Sequence, residues 1–395
     1  MINELITSEQ AATKLSVTRA GIDQVFVVAS VRSPVDALQA AWESYIQIAE
    51  VLKEYQLEIV HERIFGSLFV EPSLMSVRQR ALWSCDVHSS NPVTYIQGNP
   101  PWGKGYAGTI IRAVSPKNRS DVWTIMDGHH PCGRGWRRRG STYLVLQNIN
   151  GKNDCSEKDE NRPLQVSLML DRAERILREN GASYGDVVRT WFYLSDILDW
   201  YAAFNKVRNE KYGEFGIMPG PGDRNLLLPA STGIRADTPL GVSAMDLIAI
   251  IGEECTHPAI KQLTNVAQLD AFCYGSAFSR GALIQEPGVS LIEVSGTAAI
   301  DQRGRSQFPG DIRGQISCTF EKIENLLGQE GAGLGDIAAA TAFVKRPEHA
   351  SVFWEMARDH GLEELPAVCV VADVCRDELL FEIDGEAVVR KGLEE

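Results

Sequence analysis

The sequence predicts an α+β fold in which one structural unit is repeated. Two similar segments, QVSLMLDRAERILRENGASYG at 165–185 and QISCTFEKIENLLGQEGAGLG at 315–335, lie 150 residues apart. Apolar residues recur in both at helical spacing, and each predicted helix stops at a glycine, Gly181 or Gly331. A helix followed by a β-rich segment, repeated at a fixed offset, indicates packed copies of one unit.

The two copies share further elements in the same order. Each has a strand before the first helix, a β-rich segment after it, a second helix, and a Leu-Pro-Ala turn before a last apolar strand. These elements lie at 142–149, 187–194, 200–212 and 228–230 in one copy, and at 291–300, 337–344, 350–360 and 365–367 in the other.

A weaker third copy precedes these two. Its pattern predicts a helix at 40–53, strands at 60–69 and 77–84, and a strand pair that ends at 110–114. Three copies therefore account for nearly the whole chain. The predicted units are residues 1–117, 118–260 and 261–395.

Length and composition describe an ordinary globular chain with an acidic balance. The 395 residues are 44% hydrophobic and 23% charged, with a formal net charge of −13. Such acidity argues against nucleic acid or an anionic membrane surface as a partner. The sequence has no run of 18 apolar residues and no apolar signal-peptide core near Met1, so we expect a cytoplasmic protein whose eight cysteines are mostly reduced.

The order of elements resembles the Rid/YjgF superfamily. The shared features are a helix that ends in Gly-Ala, an Asp-Val-Val strand and the Leu-Pro-Ala turn. The resemblance implies α+β (chorismate-mutase-like) units that assemble as trimers, with active sites between neighbouring units. Three copies in one chain then predict an intrachain pseudo-trimer, and we expect the protein to be a monomer.

Longer motifs resemble the chorismatase family more narrowly. They are RTWFYLSDILDWYAAF at 189–204, LPASTGI at 228–234, CYGSAFSR at 273–280, VSGTAAI at 294–300, GDIRGQI at 310–316 and VADVCRDELLFE at 371–382. That family cleaves the enol ether of chorismate and releases pyruvate, without a metal or an organic cofactor. Its branches make either a dihydroxycyclohexadiene carboxylate or a hydroxybenzoate, and the sequence leaves this choice open.

Enol-ether hydrolysis begins with protonation of a carbon atom, which requires an acid that stays protonated near neutral pH. Glu382 fits this need, because it lies in the apolar run 379–383 of the last strand, where burial would raise its pKa. The resemblance also points to Glu382 as the catalytic acid. The corresponding position in the second copy falls near Asp246. The alternatives for Glu382 are a solvent-facing edge residue or a partner of Arg376.

Chorismate carries two carboxylates, so an acidic chain must supply cations locally. Arginine binds a carboxylate through two parallel hydrogen bonds, and hydroxyls and glycine backbone can also hold an anion. The predicted substrate-binding residues are Arg139, Tyr143, Ser231, Thr232, Gly233, Tyr274, Arg280, Gly296, Thr297, Ala298 and Arg376. The alternatives are solvated surface arginines, an ordinary turn at 231–233 and core packing for Tyr274.

Two other functions are alternatives to this one. Rid imine deaminases resemble the chain but need an arginine directly after the Pro-Ala turn, where this chain has Thr94, Ser231 and Val368. A Rid-like protein that binds a small carboxylate without turnover is the other alternative. His129, His130 and Cys132 have no second cluster at ligand spacing, so we predict no metal.

Overall fold

The computed structural model describes residues 6–10, 12–152, 161–218, 227–238, 241–252, 257–265, 268 and 275–389. Within them the chain forms three six-stranded mixed sheets, each carrying two helices. The predicted α+β fold of three repeated units is therefore confirmed. No helix in these ranges is long and apolar enough to cross a membrane.

The first unit contains the sheet closest to the N-terminus. Its elements are β1 (Ile6–Gln10), β2 (Thr13–Ala20), β3 (Gln24–Val31), α1 (Ala37–Glu54), β4 (Glu58–Gly66), α2 (Glu71–Ser84), β5 (Thr94–Gln97) and β6 (Tyr106–Val114). Asp36 caps α1 by accepting hydrogen bonds from the backbone N–H groups of Leu38 and Gln39.

The second unit repeats this order. Its elements are β7 (Val122–Asp127), β8 (His130–Arg138), β9 (Ser141–Ile149), α3 (Arg162–Glu179), β10 (Val187–Leu194), α4 (Ile197–Glu214), β11 (Ala230–Arg235) and β12 (Ser243–Gly252). Gly181 follows α3 with a φ of 79°, a left-handed conformation that favours glycine and ends the helix.

The third unit has the same plan. Its elements are β13 (Ala259–Leu263), β14 (Gly281–Glu286), β15 (Val289–Ala298), α5 (Ile312–Gly328), β16 (Ile337–Val344), α6 (His349–Asp359), β17 (Ala367–Val371) and β18 (Phe381–Val389). Gly331 lies after α5 with a φ of 74°, as Gly181 does after α3.

Strand order establishes that the units are equivalent. The third sheet runs β13-β14-β15-β18-β16-β17, the second runs β7-β8-β9-β12-β10-β11, and the first runs β1-β2-β3-β6-β4-β5. The ladder between the fourth and fifth strands of each sheet has a register shift at the same place, after Ile59, Val187 or Ile337. Residues of different units can therefore be matched one to one.

The strand predicted at 77–84 is wrong. These residues belong to α2, the second helix of the first unit. Leu74, Val77 and Ala81 recur at helical spacing and are buried, while Trp83 and Ser84 are exposed. The sequence of this helix also contains many polar residues, which obscured its period.

Four hydrophobic clusters hold the molecule together. Three of them each lie between one sheet and its own two helices. The fourth is shared, since Phe26 of the first unit, Trp136 and Trp191 of the second, and Val289 and Val368 of the third pack into one cluster. The three sheets thus join through their helix-free faces, which is the predicted pseudo-trimer.

Buried ion pairs cross this shared interior. Arg112 Nη2 lies 2.5 Å from Glu293 Oε1, and Arg63 Nη2 lies 3.4 Å from Glu386 Oε1. Both pairs join the first unit to the third. Since a buried charge is costly without a partner, these pairs favour one relative placement of the units.

Candidate active site between the second and third units

A pocket of about 540 Å³ opens where the second and third units meet. The two units touch there through β11 and β15, and Ala230 forms a parallel bridge with Ser279. The pocket is lined from one side by α4 and β11 and from the other by residues 275–280, β15, residues 375–376 and β18. Both units therefore contribute to a single cavity.

Glu382 is a buried acid in the wall of this pocket. It lies on β18, opposite Ala298 of β15 and Phe343 of β16, with 4% of its surface exposed. Burial, reinforced by the charge of Asp384, raises the pKa of Glu382 to about 8, although Arg280 and Arg189 oppose the shift. A carboxylic acid with this pKa is mostly protonated at pH 7 and can donate its proton.

Gly296 makes room for the acid. A Cβ atom at this position would lie 2.2 Å from Glu382 Oε1 and 3.2 Å from the Thr232 methyl group. Any side chain here would push Glu382 out of its place. Glycine is therefore required by close approach of the Glu382 carboxyl.

The pocket is rich in cations. Its lining residues include the basic side chains of Lys206, Arg208, Arg280 and Arg376 and the acidic side chains of Glu210 and Glu382. With Glu382 protonated, the basic groups exceed the ionised acids by three. The site is thus locally positive on a chain whose net charge is −13.

Two of the arginines lie close to one aromatic ring. The guanidinium carbons of Arg208 and Arg280 lie 5.5 Å and 5.3 Å from the centre of the Phe278 ring. Arg208 donates to Asn205 Oδ1 over 2.7 Å and is only 1% exposed. Buried arginines held by rings and amides present their charge in a fixed orientation.

The turn after the Leu-Pro-Ala sequence forms another part of the wall. The Ser231 backbone N–H donates to Ser295 Oγ over 2.8 Å, and the Ser231 hydroxyl accepts from the Thr190 hydroxyl over 2.9 Å. Ser231 and Gly233 line the pocket. This contact between β11 and β15 joins the two units at the rim of the cavity.

The structure brings most of the predicted site residues together. Those that line the pocket are Ser231, Gly233, Arg280, Gly296, Ala298, Arg376 and Glu382. Thr232 lies directly behind them, where its hydroxyl accepts from the Gly296 N–H over 3.1 Å. The Thr297 hydroxyl instead donates to the Ser295 carbonyl over 2.8 Å. Tyr274 lies outside the described residues.

Arg139 and Tyr143 are placed elsewhere. Tyr143 donates a short hydrogen bond to Glu286, and Arg139 donates one to the carbonyl of Pro287. Glu286 also pairs with Arg138, which bonds Asp23 of the first unit. The basic run at 134–140 thus joins the three units and does not line the pocket. The sequence showed the density of its charge but not its acidic partners.

Residues of α4 were missed as candidates. Tyr201, Asn205, Lys206, Arg208 and Asn209 all line the pocket. The feature that could have pointed to α4 is Arg208, which lies on a helix face whose other buried residues are largely apolar. Which helix faces the neighbouring unit depends on the packing of the pseudo-trimer.

The position matched to Glu382 in the second unit was also wrong. Asp246 pairs with Trp191, and Asp384 pairs with Thr341, which lies 150 residues after Trp191. Asp246 therefore corresponds to Asp384. By the same register Glu382 corresponds to Ala244, which pairs with Tyr193. Glu382 therefore has no acidic counterpart in the second unit.

Comparison with known proteins agrees with this architecture. The family model for "Endoribonuclease L-PSP" matches residues 277–389. A chorismatase of Streptomyces rapamycinicus is 27% identical over 225 residues, which are 51% of this chain and 64% of that protein, so the match spans just under two thirds of the relative.

A solved structure shows the same fold. A chorismatase crystal structure at 1.08 Å resolution superimposes with a TM-score of 0.60 and 19% identity, over 84% of this chain and 93% of that one. At this identity the likeness shows the fold alone. The resemblance predicted from the motifs is confirmed by these comparisons: the third unit matches the L-PSP family model, and the chain is similar to a chorismatase in sequence and to a chorismatase crystal structure in fold.

Proposed function

We propose that the chain hydrolyses the enol ether of chorismate and releases pyruvate, with Glu382 as the general acid. The observation that carries this proposal is the buried Glu382 carboxyl, whose pKa is about 8, in the wall of a pocket lined by four basic side chains. Similarity to a chorismatase suggests the substrate. A protonated acid suits a substrate that is cleaved by acid, and the positive charge of the pocket suits a dianion.

The chemistry needs only this acid and a water molecule. Glu382 transfers its proton to the methylene carbon of the enolpyruvyl group, which becomes a methyl group, and the ether carbon becomes an oxocarbenium ion. Water adds to that carbon and returns a proton to the Glu382 carboxylate. The resulting hemiketal collapses to the ketone of pyruvate, and the ring oxygen leaves as an alcohol after taking up the hydroxyl proton. Glu382 ends in its starting state.

The cations bind and orient the substrate. Arg208 and Arg280, both close to the Phe278 ring, present guanidinium groups that suit carboxylates. Arg376 donates to the Gly304 carbonyl over 2.6 Å, which fixes its orientation near the pocket. Two carboxylates and several cations favour binding of a dianion over a neutral enol ether.

Water reaches the reacting carbon beside Ala298. This small residue lines the pocket and pairs with Glu382 across β15 and β18. Space next to the acid favours capture of the cation by water, which gives the dihydroxycyclohexadiene carboxylate. Capture by a hydroxyl group of the ring would lead instead to a hydroxybenzoate. Chromatography of the products separates these outcomes.

The proposal is tested by incubating the chain with chorismate in D₂O and analysing pyruvate by NMR. We expect pyruvate whose methyl group carries one deuterium, because the proton of a buried acid exchanges with solvent before turnover. Pyruvate without deuterium would mean that hydrogen moves from the ring, and no pyruvate would reject the function. Ammonia release from a 2-imino acid would identify a deaminase instead. Thermal stabilisation by chorismate without turnover would identify a binding protein.

Because one chain supplies both sides of the pocket, we also propose that the monomer is the active form. Light scattering during turnover should give the mass of one chain, 43.6 kDa. A stable trimer of 395-residue chains would contradict this.

A further inference from the structure

A second carboxylate lies behind the proposed catalytic acid. Asp384 follows Glu382 by two residues on β18, so both side chains are on the same face of the strand, with Cα atoms about 6.6 Å apart. The Asp384 side chain is only 1% exposed. A charge at this distance inside a protein acts strongly on its neighbour, because little water separates the two.

Three donors fix Asp384 in place. Its Oδ2 atom accepts from Arg189 Nη2 over 3.0 Å, from Trp191 Nε1 over 3.0 Å and from the Thr232 hydroxyl over 2.7 Å. All three donors come from the second unit, while Asp384 belongs to the third. Three hydrogen bonds to one oxygen, one of them from a guanidinium group, hold the carboxylate in one position.

Thr232 connects Asp384 to the pocket. Its hydroxyl donates to Asp384 and accepts from the Gly296 N–H, and Gly296 is the residue against which Glu382 packs. The carboxylate therefore keeps a defined distance from Glu382 through β18 and through Gly296. The arrangement depends on the contact between the same two units that form the pocket.

Charged groups on several elements surround Glu382 besides Asp384, and Lys206, Arg208 and Glu210 of α4 line the same pocket. Arg189 approaches from β10, Arg280 from the segment before β14, and Cys375 and Arg376 from the segment before β18. Burial raises the pKa of the Cys375 thiol to about 12, so it is neutral when Glu382 titrates. Arg280 and Arg189 favour ionisation of Glu382, and Asp384 is the charged group that opposes it most strongly.

We propose that Asp384 is a positioning residue that keeps the Glu382 carboxyl protonated by holding a fixed negative charge beside it. The proposal rests on the proposed role of Glu382 as the general acid. Asp384 does not line the pocket, so it acts through Glu382. In Asp384→Asn the negative charge is lost while the positive charge of Arg189 remains, so the ionised form of Glu382 is favoured.

The test follows the Glu382 carboxyl directly. Proteins labelled with ¹³C at the glutamate carboxyl are titrated by NMR, and Glu382→Gln assigns the signal. We expect the wild-type signal to titrate near pH 8 and the Asp384→Asn signal to titrate about one pH unit lower or more. The falling limb of the pH profile for pyruvate release should move by the same amount, and Asp384→Glu should restore it.

Asp246→Asn is the matched control. Asp246 occupies the corresponding position of the second unit and is equally buried, but it accepts from Thr94 and the Asn148 N–H and pairs with His61 at another interface. Its replacement should leave the Glu382 titration unchanged. An equal shift in both variants would show a general loss of structure and overturn the proposal.

An unchanged Glu382 titration in Asp384→Asn would also overturn it. If Glu382 shifts as expected but chorismate is not turned over, the inference about Asp384 stands and the proposed function fails. Should Asp384→Asn not fold, the double variant Asp384→Asn/Arg189→Gln removes both members of the ion pair. That variant should titrate below the wild type by a smaller interval, and no shift in it would count against the proposal.

Discussion

Two interfaces of the pseudo-trimer are formed by equivalent strands, but one of them is open and the other is closed. Between the second and third units, Gly296 leaves a space that Glu382 faces. Between the first and second units, the corresponding residues are Asn148 and Ala244. Asn148 donates a short hydrogen bond to the Val93 carbonyl on the opposite unit and so fills the place that Gly296 leaves open.

The remaining interface is closed by apolar contact. Gly108 of the first unit corresponds to Glu382, since it pairs with Phe65 four residues after the register shift. A Cβ at Gly108 would lie 2.8 Å from a methyl group of Val368. The three interfaces are therefore equivalent in strand register, and a glycine and a buried acid at two positions make one of them a candidate site.

The largest loss of activity should follow when the asparagine of the closed interface is placed at the open one. In Gly296→Asn, the side chain collides with Glu382 and enters the pocket, so both binding and protonation should suffer. We expect pyruvate release from chorismate to fall by about 10⁴-fold, the upper range for loss of a general acid. Steady-state kinetics measures this, and circular dichroism verifies the fold.

The reciprocal change serves as its control. Asn148→Gly removes a hydrogen bond at the closed interface but adds no acid there, because Ala244 remains. Turnover should stay within twofold of the wild type. A large loss in Asn148→Gly would mean that the two interfaces are not independent.

The cations of the pocket are the next test. Removing Arg280 or Arg208 should cost about 10–100-fold in kcat/KM, because a charge-assisted hydrogen bond contributes about 1.5–3 kcal/mol. The loss should lie mainly in KM for a residue that binds the substrate before and during the reaction. Arg139→Ala should change KM less than twofold, since Arg139 bonds Pro287 away from the pocket. Equal effects of Arg139 and Arg280 would reject the placement of the site.

The pH dependence of activity tests the acid of the open interface, Glu382. If the protonated form of Glu382 is required, kcat/KM should fall above pH 8 and approach a tenfold loss per pH unit. Burial of a carboxyl moves this limb up from the usual value of 4.5. A limb near pH 4.5 would show that the acid in action is an exposed one. Rates are measured with saturating and with low chorismate to separate bound from free enzyme.

The free energy of unfolding should also depend on the ionisation of Glu382. From pH 4.5 to pH 8 the folded chain keeps a proton on Glu382 that the unfolded chain releases, so rising pH destabilises the fold through this group. The slope approaches about 1.4 kcal/mol per pH unit. The free energy of unfolding of Glu382→Gln, relative to the wild type, should therefore increase between pH 5 and pH 8. A constant difference in urea titrations would contradict the raised pKa.

Sequence reasoning recovered the fold because the repeats carry periodicity and turn signals that are local. It placed the helix stops at Gly181 and Gly331 and predicted the pseudo-trimer, yet it read part of α2 as a strand. The polar residues of α2 weaken its apolar period, and only packing against α1 and the sheet reveals its buried face.

The site was recovered in part for a similar reason. Glu382 stood out because its neighbours in the strand are apolar, and burial is what the structure shows. Arg208 was missed and Arg139 was overvalued, since charge density along the chain does not reveal which acidic groups a folded arginine meets. The strand register shows that Asp246 corresponds to Asp384, whereas the spacing of the motifs had matched Asp246 to Glu382, two residues earlier.

The most direct test of the central claim compares pyruvate release from chorismate by the wild type and by Glu382→Gln at pH 7. The account predicts that turnover falls by about 10²–10⁴-fold, while chorismate still raises the melting temperature of the variant, because the basic groups of the pocket remain. Full activity of Glu382→Gln would contradict the claim that this acid, at the one interface opened by Gly296, protonates the substrate.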